Sequence, residues 1–166
     1  MALVEGDDAY FELSFSPNLK LVSTVRRFVS SFYEEILDDP EVTSKVAVAT
    51  HELLENAVRY STDGRTRVRV GVRRDSGTTF TVTIDTTNRS DSEHVMLLST
   101  LMDEMKRASN ADEFYQTLMQ RSAKRTDGSG LGLGRIRAEA EMTVTHRIEG
   151  DHVHLQAQAR FENVGA

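Results

Sequence analysis

Two polar side chains, Glu52 and Asn56, stand four residues apart in the segment from His51 to Ser61. An apolar pattern of helical period leads into this segment, which is therefore predicted to be the second half of a helix. Residues four apart share one face of a helix, so the carboxylate and the carboxamide point the same way. Both groups need partners once they are buried. The pair fits a site for a polar ligand or a solvent-exposed helix face, and the helix alone leaves both interpretations open.

A glycine-rich stretch later in the chain favours the ligand site. Residues 128–134 carry glycine at every second position and precede a predicted helical run over 135–141. Glycine lets backbone N–H groups come close to a ligand, and the start of a helix adds unpaired donors with a favourable dipole. The stretch follows no predicted strand, as a Rossmann motif would, and it lacks the Lys-Ser/Thr of a P-loop. We therefore predict a phosphate-binding loop of another kind.

Together the two segments resemble the GHKL, or histidine-kinase-like, ATPases. Glu52 and Asn56, with Arg59 close by, look like the N box of that family, and the run 128–133 looks like its second glycine box. The single-domain bacterial branch of anti-sigma-factor serine kinases and partner-switching kinases fits best. The resemblance covers nearly the whole chain. It implies one α/β (α+β) domain over residues 1–166, with the histidine-kinase-like ATPase (Bergerat) fold.

The resemblance also implies the ligands, which are ATP and Mg²⁺. Asn56 would bind the metal through its side-chain oxygen, a hard ligand suited to Mg²⁺, and Arg59 would lie near the phosphates. Glu52 would be the catalytic base that accepts the proton of the attacking hydroxyl. The residues implied around the phosphates are Gly128, Ser129, Gly130, Leu131, Gly132 and Leu133.

The expected reaction is direct in-line transfer of the γ-phosphoryl group, because no nucleophile of the chain's own stands out. The branch implies a serine/threonine protein kinase with regulatory function. Its acceptor would be a Ser or Thr of a small partner-switching protein of the anti-anti-sigma kind. A sigma factor is the other implied partner, and a homodimer is left open.

The segment that would contact the adenine departs from the family pattern. In the family an aspartate in a glycine-containing box meets the adenine amino group, whereas residues 85–90 contain no glycine. Asp85 is one candidate for this role. Asn88 is preferred, because alternation from Val82 and Ile84 places it on the apolar face and an amide can both accept and donate. The altered segment also supports an alternative function: a degenerate binding module that sequesters a protein partner without ATP chemistry.

The interval of about 90–127 would be the lid over the triphosphate, by the same resemblance. Two helices are predicted there, and the interval contains Met96, Met102, Met105 and Met119. Methionine suits surfaces that repack against a partner, and it also suits an ordinary core. Both roles for these methionines remain open.

Alternation in the strand segments predicts how the sheet is covered. The run 67–74 alternates valine with arginine, and the runs 79–88 and 153–161 show the same period of two. A sheet with one apolar face carries its helices on that face only. We therefore predict a two-layer sandwich in which helices cover one face of a mixed sheet. The covering helices are predicted at about 17–37, 41–60 and 134–141.

The composition argues against several classes of protein. A net charge of -6 over 166 residues argues against nucleic acid as the main partner. No run approaches the roughly 20 apolar residues that span a bilayer, and the acidic segment 1–8 is not typical of a signal peptide. The chain has no cysteine, which excludes disulfides and suits a reducing compartment. We therefore expect a cytoplasmic protein that does not bind membranes.

Overall fold

The computed structural model describes residues 8–16, 19–124 and 130–162. Strands and helices alternate in short groups along these residues. The strands are β1 (Asp8–Phe15), β2 (Thr66–Ser76), β3 (Thr79–Arg89), β4 (Thr143–Glu149) and β5 (His152–Glu162). The helices are α1 (Leu19–Leu37), α2 (Pro40–Arg59), α3 (Ser92–Arg107), α4 (Ala111–Ser122) and α5 (Leu131–Ala138). Of these helices, none combines the length and apolar character that crossing a membrane requires.

The strands form a sheet in the order β1-β2-β3-β5-β4, and every neighbouring pair in it is antiparallel. The prediction of a mixed sheet is therefore wrong. Strand β4 does run in the same direction as β3, but β5 lies between them and pairs with both. Short turns join β2 to β3 and β4 to β5, and such turns can only join antiparallel neighbours.

One face of the sheet is buried and the other is open. On β2, Val68 and Val70 are fully buried, whereas Arg67 and Arg69 are exposed. Helix α2 packs against β2, β3 and β5, α1 packs along α2, and α3 and α5 lie against β4. The prediction of a two-layer α+β sandwich with its helices on one face is confirmed.

Helix α5 begins and ends three residues earlier than predicted. Its N-cap is Gly130, whose backbone has a φ of 67°, and Glu141 beyond its end has a φ of 56°. Leu133 and Ile136 are buried at helical spacing, so the core holds the glycine-containing segment in the helix. The second half of the glycine stretch is therefore the first turn of α5, and not a loop ahead of it.

Helix α2 supplies the polar pair singled out in the sequence, and its start is capped. The carboxylate of Asp39 accepts hydrogen bonds from the N–H groups of Glu41 at 2.9 Å and Val42 at 3.1 Å. Pro40 takes the first helical position, where no N–H is needed. Leu53 and Leu54 have no exposed surface. The cap and the buried face together fix α2 against the sheet.

Asp39→Ala should lower the free energy of unfolding by about 0.5–2 kcal/mol, because two N–H groups of the first turn lose their acceptor. Urea denaturation followed by circular dichroism measures the change. Asp39→Asn is the matched control, since asparagine caps about as well as aspartate. An equal loss in both variants would mean that the charge of Asp39 acts on the helix dipole and that the cap itself contributes little.

The two helices predicted for the lid are present as α3 and α4. Met102 and Met105 are buried, whereas Met96 is 64% exposed and Met119 is 42% exposed. The two roles left open for methionine are thus divided, one pair packing in the core and the other lying at the surface. Residues 125–127 of the predicted lid lie outside the described residues, and the lid function stays a prediction.

Candidate functional site

The polar face of α2 forms one wall of a cavity of about 270 Å³. That wall consists of Glu52, Glu55, Asn56, Arg59 and Tyr60. These residues follow the period of the helix, and the residues between them are buried on its other side. The remaining wall consists of Tyr115 from α4 and of Gly130, Leu131, Gly132, Leu133 and Arg135 around the start of α5. The structure thus brings the polar pair and the second half of the glycine stretch together, while Gly128 and Ser129 lie outside the described residues.

At the start of α5, glycine leaves room for two neighbouring side chains. A Cβ on Gly132 would run into Oε2 of Glu52, and a Cβ on Gly130 would run into the side chain of Leu101. The missing side chains therefore let the first turn of α5 approach Glu52 closely. The first N–H groups of a helix have no carbonyl partner within it, so they are donors available to an anion in this cavity.

Glu52 is held by an ion pair across the cavity. Its Oε1 accepts a hydrogen bond from Nη1 of Arg135 at 3.0 Å, and its side chain is only 15% exposed. Arg135 also donates from Nε to Oε2 of Glu139 at 2.7 Å. The bond to Glu139, supported by the one to Glu52, raises the pKa of Arg135 against the opposing effect of partial burial. The guanidinium therefore stays charged while it bridges two carboxylates.

The side chains of Asn56 and Arg59 make weaker contacts with the rest of the described chain than Glu52 does. The side-chain amide of Asn56 makes no hydrogen bond to residues 8–16, 19–124 or 130–162, although it lines the cavity. Nη2 of Arg59 lies 3.9 Å from Oε2 of Glu55, and both side chains are largely exposed. Both residues are thus available to a ligand, and their predicted roles remain predictions.

The two candidates for contact with the adenine lie on opposite faces of β3. Asp85 is on the open face and accepts a hydrogen bond from Nε2 of Gln156 at 2.7 Å. Asn88 is buried on the helix side, as the alternation predicts. Its amide nitrogen donates to Oγ of Ser90 at 2.9 Å and to the carbonyl of Arg89 at 3.3 Å. Neither Asp85 nor Asn88 lines the cavity, so the structure does not bring them to the other predicted site residues.

An aromatic pair stands at the C-terminal end of α2. The rings of Tyr60 and His94 are stacked, with centroids 3.5 Å apart and planes inclined by 10°. Burial lowers the pKa of His94, and its Nε2 is buried without a hydrogen-bond partner among the described residues. The carbonyl of Tyr60 accepts a hydrogen bond from Oγ of Ser90 at 3.1 Å, which links this pair to Asn88. The imidazole of His94 thus covers one face of the Tyr60 ring, and Tyr60 lines the cavity.

Sequence reasoning missed four residues of the cavity: Glu55, Tyr60, Tyr115 and Arg135. Helical spacing could have found the first two, because they stand three and four residues after Glu52 and Asn56. Nothing local points to Arg135, whose contact with Glu52 joins residues 83 apart in sequence.

Comparison with known proteins agrees with this fold. Residues 15–156 match the family model for the histidine kinase-like ATPase domain. Among solved structures, the chain is similar to a chain in the structure of the SiaB–SiaC complex from Pseudomonas aeruginosa, with a TM-score of 0.57 and 12% sequence identity. The match covers 91% of this chain and 89% of the chain in that complex. At this identity the likeness concerns the fold alone. No curated protein sequence matches the chain.

Proposed function

Because the chain belongs to the histidine kinase-like ATPase domain family, we propose that it binds ATP with Mg²⁺ between α2 and α5 and phosphorylates a protein partner. The observation that carries this proposal is the meeting of Asn56 with residues 130–133 in one cavity. The side-chain amide of Asn56 and the backbone at the start of α5 line it together. The cavity volume of about 270 Å³ lies just below the roughly 300–1,000 Å³ of small-molecule sites.

The residues present fit a magnesium nucleotide. The amide of Asn56 has no partner among the described residues, and its oxygen is the hard type of ligand that Mg²⁺ takes. Mg²⁺ bound here would neutralise phosphate charge while keeping phosphate oxygens and water as its other ligands. The first N–H groups of α5 and the guanidinium of Arg59 would bind the phosphates, as helix starts and arginine commonly do.

The nucleobase would lie toward the C-terminal end of α2. Tyr60 lines the cavity there, about 12 Å from Glu52 along a helix that rises about 1.5 Å per residue. Stacking of a base on an aromatic ring contributes roughly 1–3 kcal/mol. Asn88 is linked to this end, because Ser90 accepts a hydrogen bond from its amide nitrogen and donates one to the carbonyl of Tyr60. These bonds leave the amide oxygen of Asn88, the atom that would accept from an adenine amino group, unused.

In the proposed reaction, the hydroxyl oxygen of a Ser or Thr on the partner attacks the γ-phosphorus in line. A new O–P bond forms as the bond from the γ-phosphorus to the bridging oxygen breaks, and ADP leaves. The hydroxyl proton passes to the carboxylate of Glu52, which lies beside Gly132 and one turn from Asn56. Catalysis then depends mainly on position and charge neutralisation, as is usual for phosphoryl transfer.

The partner is proposed to be a small anti-anti-sigma-like protein or a sigma factor in the cytoplasm. The similar structure is a complex of two proteins, which agrees with regulation through a partner. The exposed side chains of Met96 and Leu97 on α3 offer an apolar surface to such a protein, and Met119 is exposed on α4. The same surface would serve a homodimer.

One observation favours a second function, binding of a protein partner without ATP chemistry. Neither Asp85 nor Asn88 lines the cavity, and no glycine opens the segment 85–90. The adenine of a bound ATP would then lack a polar contact with the protein. The kinase remains the first proposal, because the cavity at Asn56 and the family both support ATP.

Calorimetric titration of the wild-type protein with ATP tests the choice. We expect binding in the presence of Mg²⁺ and a clear loss of affinity when EDTA removes the metal, because Mg²⁺ links the phosphates to Asn56. GTP, whose base carries a carbonyl where adenine carries an amino group, is the matched control and should bind more weakly. If ATP with Mg²⁺ does not bind, the partner-binding module becomes the better account of the chain.

A further inference from the structure

The charged side chains of the cavity neutralise one another. Arg135 contacts Glu52 at 3.0 Å, and Arg59 contacts Glu55 at 3.9 Å. The described lining therefore contains as many carboxylates as guanidinium groups. An anionic ligand that enters the cavity must compete with a carboxylate for each of these cations.

The two ion pairs differ in how strongly the carboxylate competes with an anionic ligand for the arginine. The charged atoms of Arg59 and Glu55 are 3.9 Å apart, which is long for an ion pair, and Arg59 is 61% exposed, so water and salt screen their attraction. Glu52 is mostly buried, and its distance to Arg135 is that of a normal charge-assisted hydrogen bond. To bind Arg135, an incoming phosphate group therefore has to displace the carboxylate of Glu52.

The bonds of Arg135 suit it to exchange one partner while it keeps the other. Its Nε is bonded to Glu139, which lies one turn further along α5, and a single bond from Nη1 leads to Glu52. A guanidinium has more N–H donors than these two bonds use, and its planar shape matches both carboxylate and phosphate. Arg135 also lines the same cavity as the helix start. A phosphate group bound at that start would lie beside it.

Building on the function proposed above, we propose that Arg135 is a phosphate-binding residue of the nucleotide site and that Glu52 holds it until the nucleotide arrives. The guanidinium then exchanges Glu52 for phosphate oxygens while Nε stays on Glu139. The carboxylate of Glu52 loses its ion-pair partner and becomes free to accept the proton of the acceptor hydroxyl. Arrival of the phosphates and release of the base are thus a single event.

A double-mutant cycle on ATP affinity, measured by calorimetry with Mg²⁺, tests this exchange. Glu52→Gln should tighten ATP binding by about three- to tenfold, because the phosphates no longer compete with a carboxylate for Arg135. Arg135→Gln should weaken binding by about tenfold, since a charge-assisted hydrogen bond is lost. In the Arg135→Gln background, Glu52→Gln should change the affinity by less than about twofold.

A conservative variant and a control ion pair complete the double-mutant cycle. Arg135→Lys keeps the charge and should retain part of both the affinity and the response to Glu52→Gln, so the result does not depend on how well Arg135→Gln folds. Lys45→Gln with Glu41→Gln removes an ion pair of 3.0 Å on the same helix, together with the 2.9 Å ion pair of Lys45 with Glu141. All three residues lie outside the cavity. This control pair should leave ATP affinity unchanged.

Two results would overturn the exchange. Equal tightening by Glu52→Gln with and without Arg135 would mean that Glu52 repels the phosphates directly, and ATP binding itself would stand. Absence of ATP binding by the wild-type protein would remove the proposed function and the exchange together. The exchange is supported if Glu52→Gln and Arg135→Gln have non-additive effects on ATP affinity and the control pair has none.

Discussion

Replacing Glu52 by glutamine should slow the hydrolysis of ATP with Mg²⁺, in which a water hydroxyl replaces that of the partner, by a factor of about 10²–10⁴, the loss typical of a missing acid–base group. Glutamine has nearly the size of glutamate, so the close contact with Gly132 is preserved, but its amide cannot take up the hydroxyl proton. Chromatographic measurement of ADP over several hours gives the rate. The affinity for ATP should not fall, which separates the chemical step from binding.

The control for this experiment is Glu35→Gln, which changes an exposed carboxylate on α1 in the same way. Its rate should equal that of the wild-type protein. If the Glu52→Gln variant turns over as fast as this control, Glu52 is not the base, and its ion pair with Arg135 is only structural. Loss of ATP affinity together with the rate would instead assign Glu52 to binding.

Asn56→Ala should reduce the affinity for ATP with Mg²⁺ by at least about 10–100-fold, because even outer partners of a bound metal have effects of this size. The substitution removes a side-chain amide that has no other bond to the described residues, so the fold should be little affected. Calorimetry gives the affinity, and thermal unfolding followed by circular dichroism checks the fold. We expect nearly unchanged unfolding and a large loss of binding.

The dependence on Mg²⁺ makes this prediction specific. EDTA should weaken ATP binding by the wild-type protein but add little to the defect of Asn56→Ala, because the metal has already lost its protein ligand. Gln120→Ala removes an exposed carboxamide from α4 and should behave as wild type. A variant at Asn56 that still responds fully to EDTA would show that the metal is held elsewhere.

Local periodicity predicted which side of each element faces the core. Residues two apart on a strand and four apart on a helix share a face whatever the rest of the chain does. This is why alternation placed Val68 and Asn88 on the buried side of the sheet and Asp85 on the open side. The same rule put Glu52 and Asn56 on one wall of the cavity, and the layering of helices on one face followed from it.

Local rules did not predict the order and direction of strands, because pairing is decided between segments far apart in sequence. Nothing in the composition of β4 or β5 says which of them joins β3. The boundaries of α5 were also misjudged. Glycine is a poor helix former in isolation, but burial of Leu133 and Ile136 stabilises the helix across the glycines.

The sequence by itself determined the family, the layered fold and the two segments that meet at the cavity, because these depend on residue types at short, fixed spacings. Only the tertiary structure decided the state of the groups within the cavity. Arg135 reaches Glu52 because α5 packs against α2, and Asn88 is engaged because Ser90 lies beside it. A side chain's charge can be read from its type, but its partner depends on which surfaces the folded chain brings within hydrogen-bonding distance.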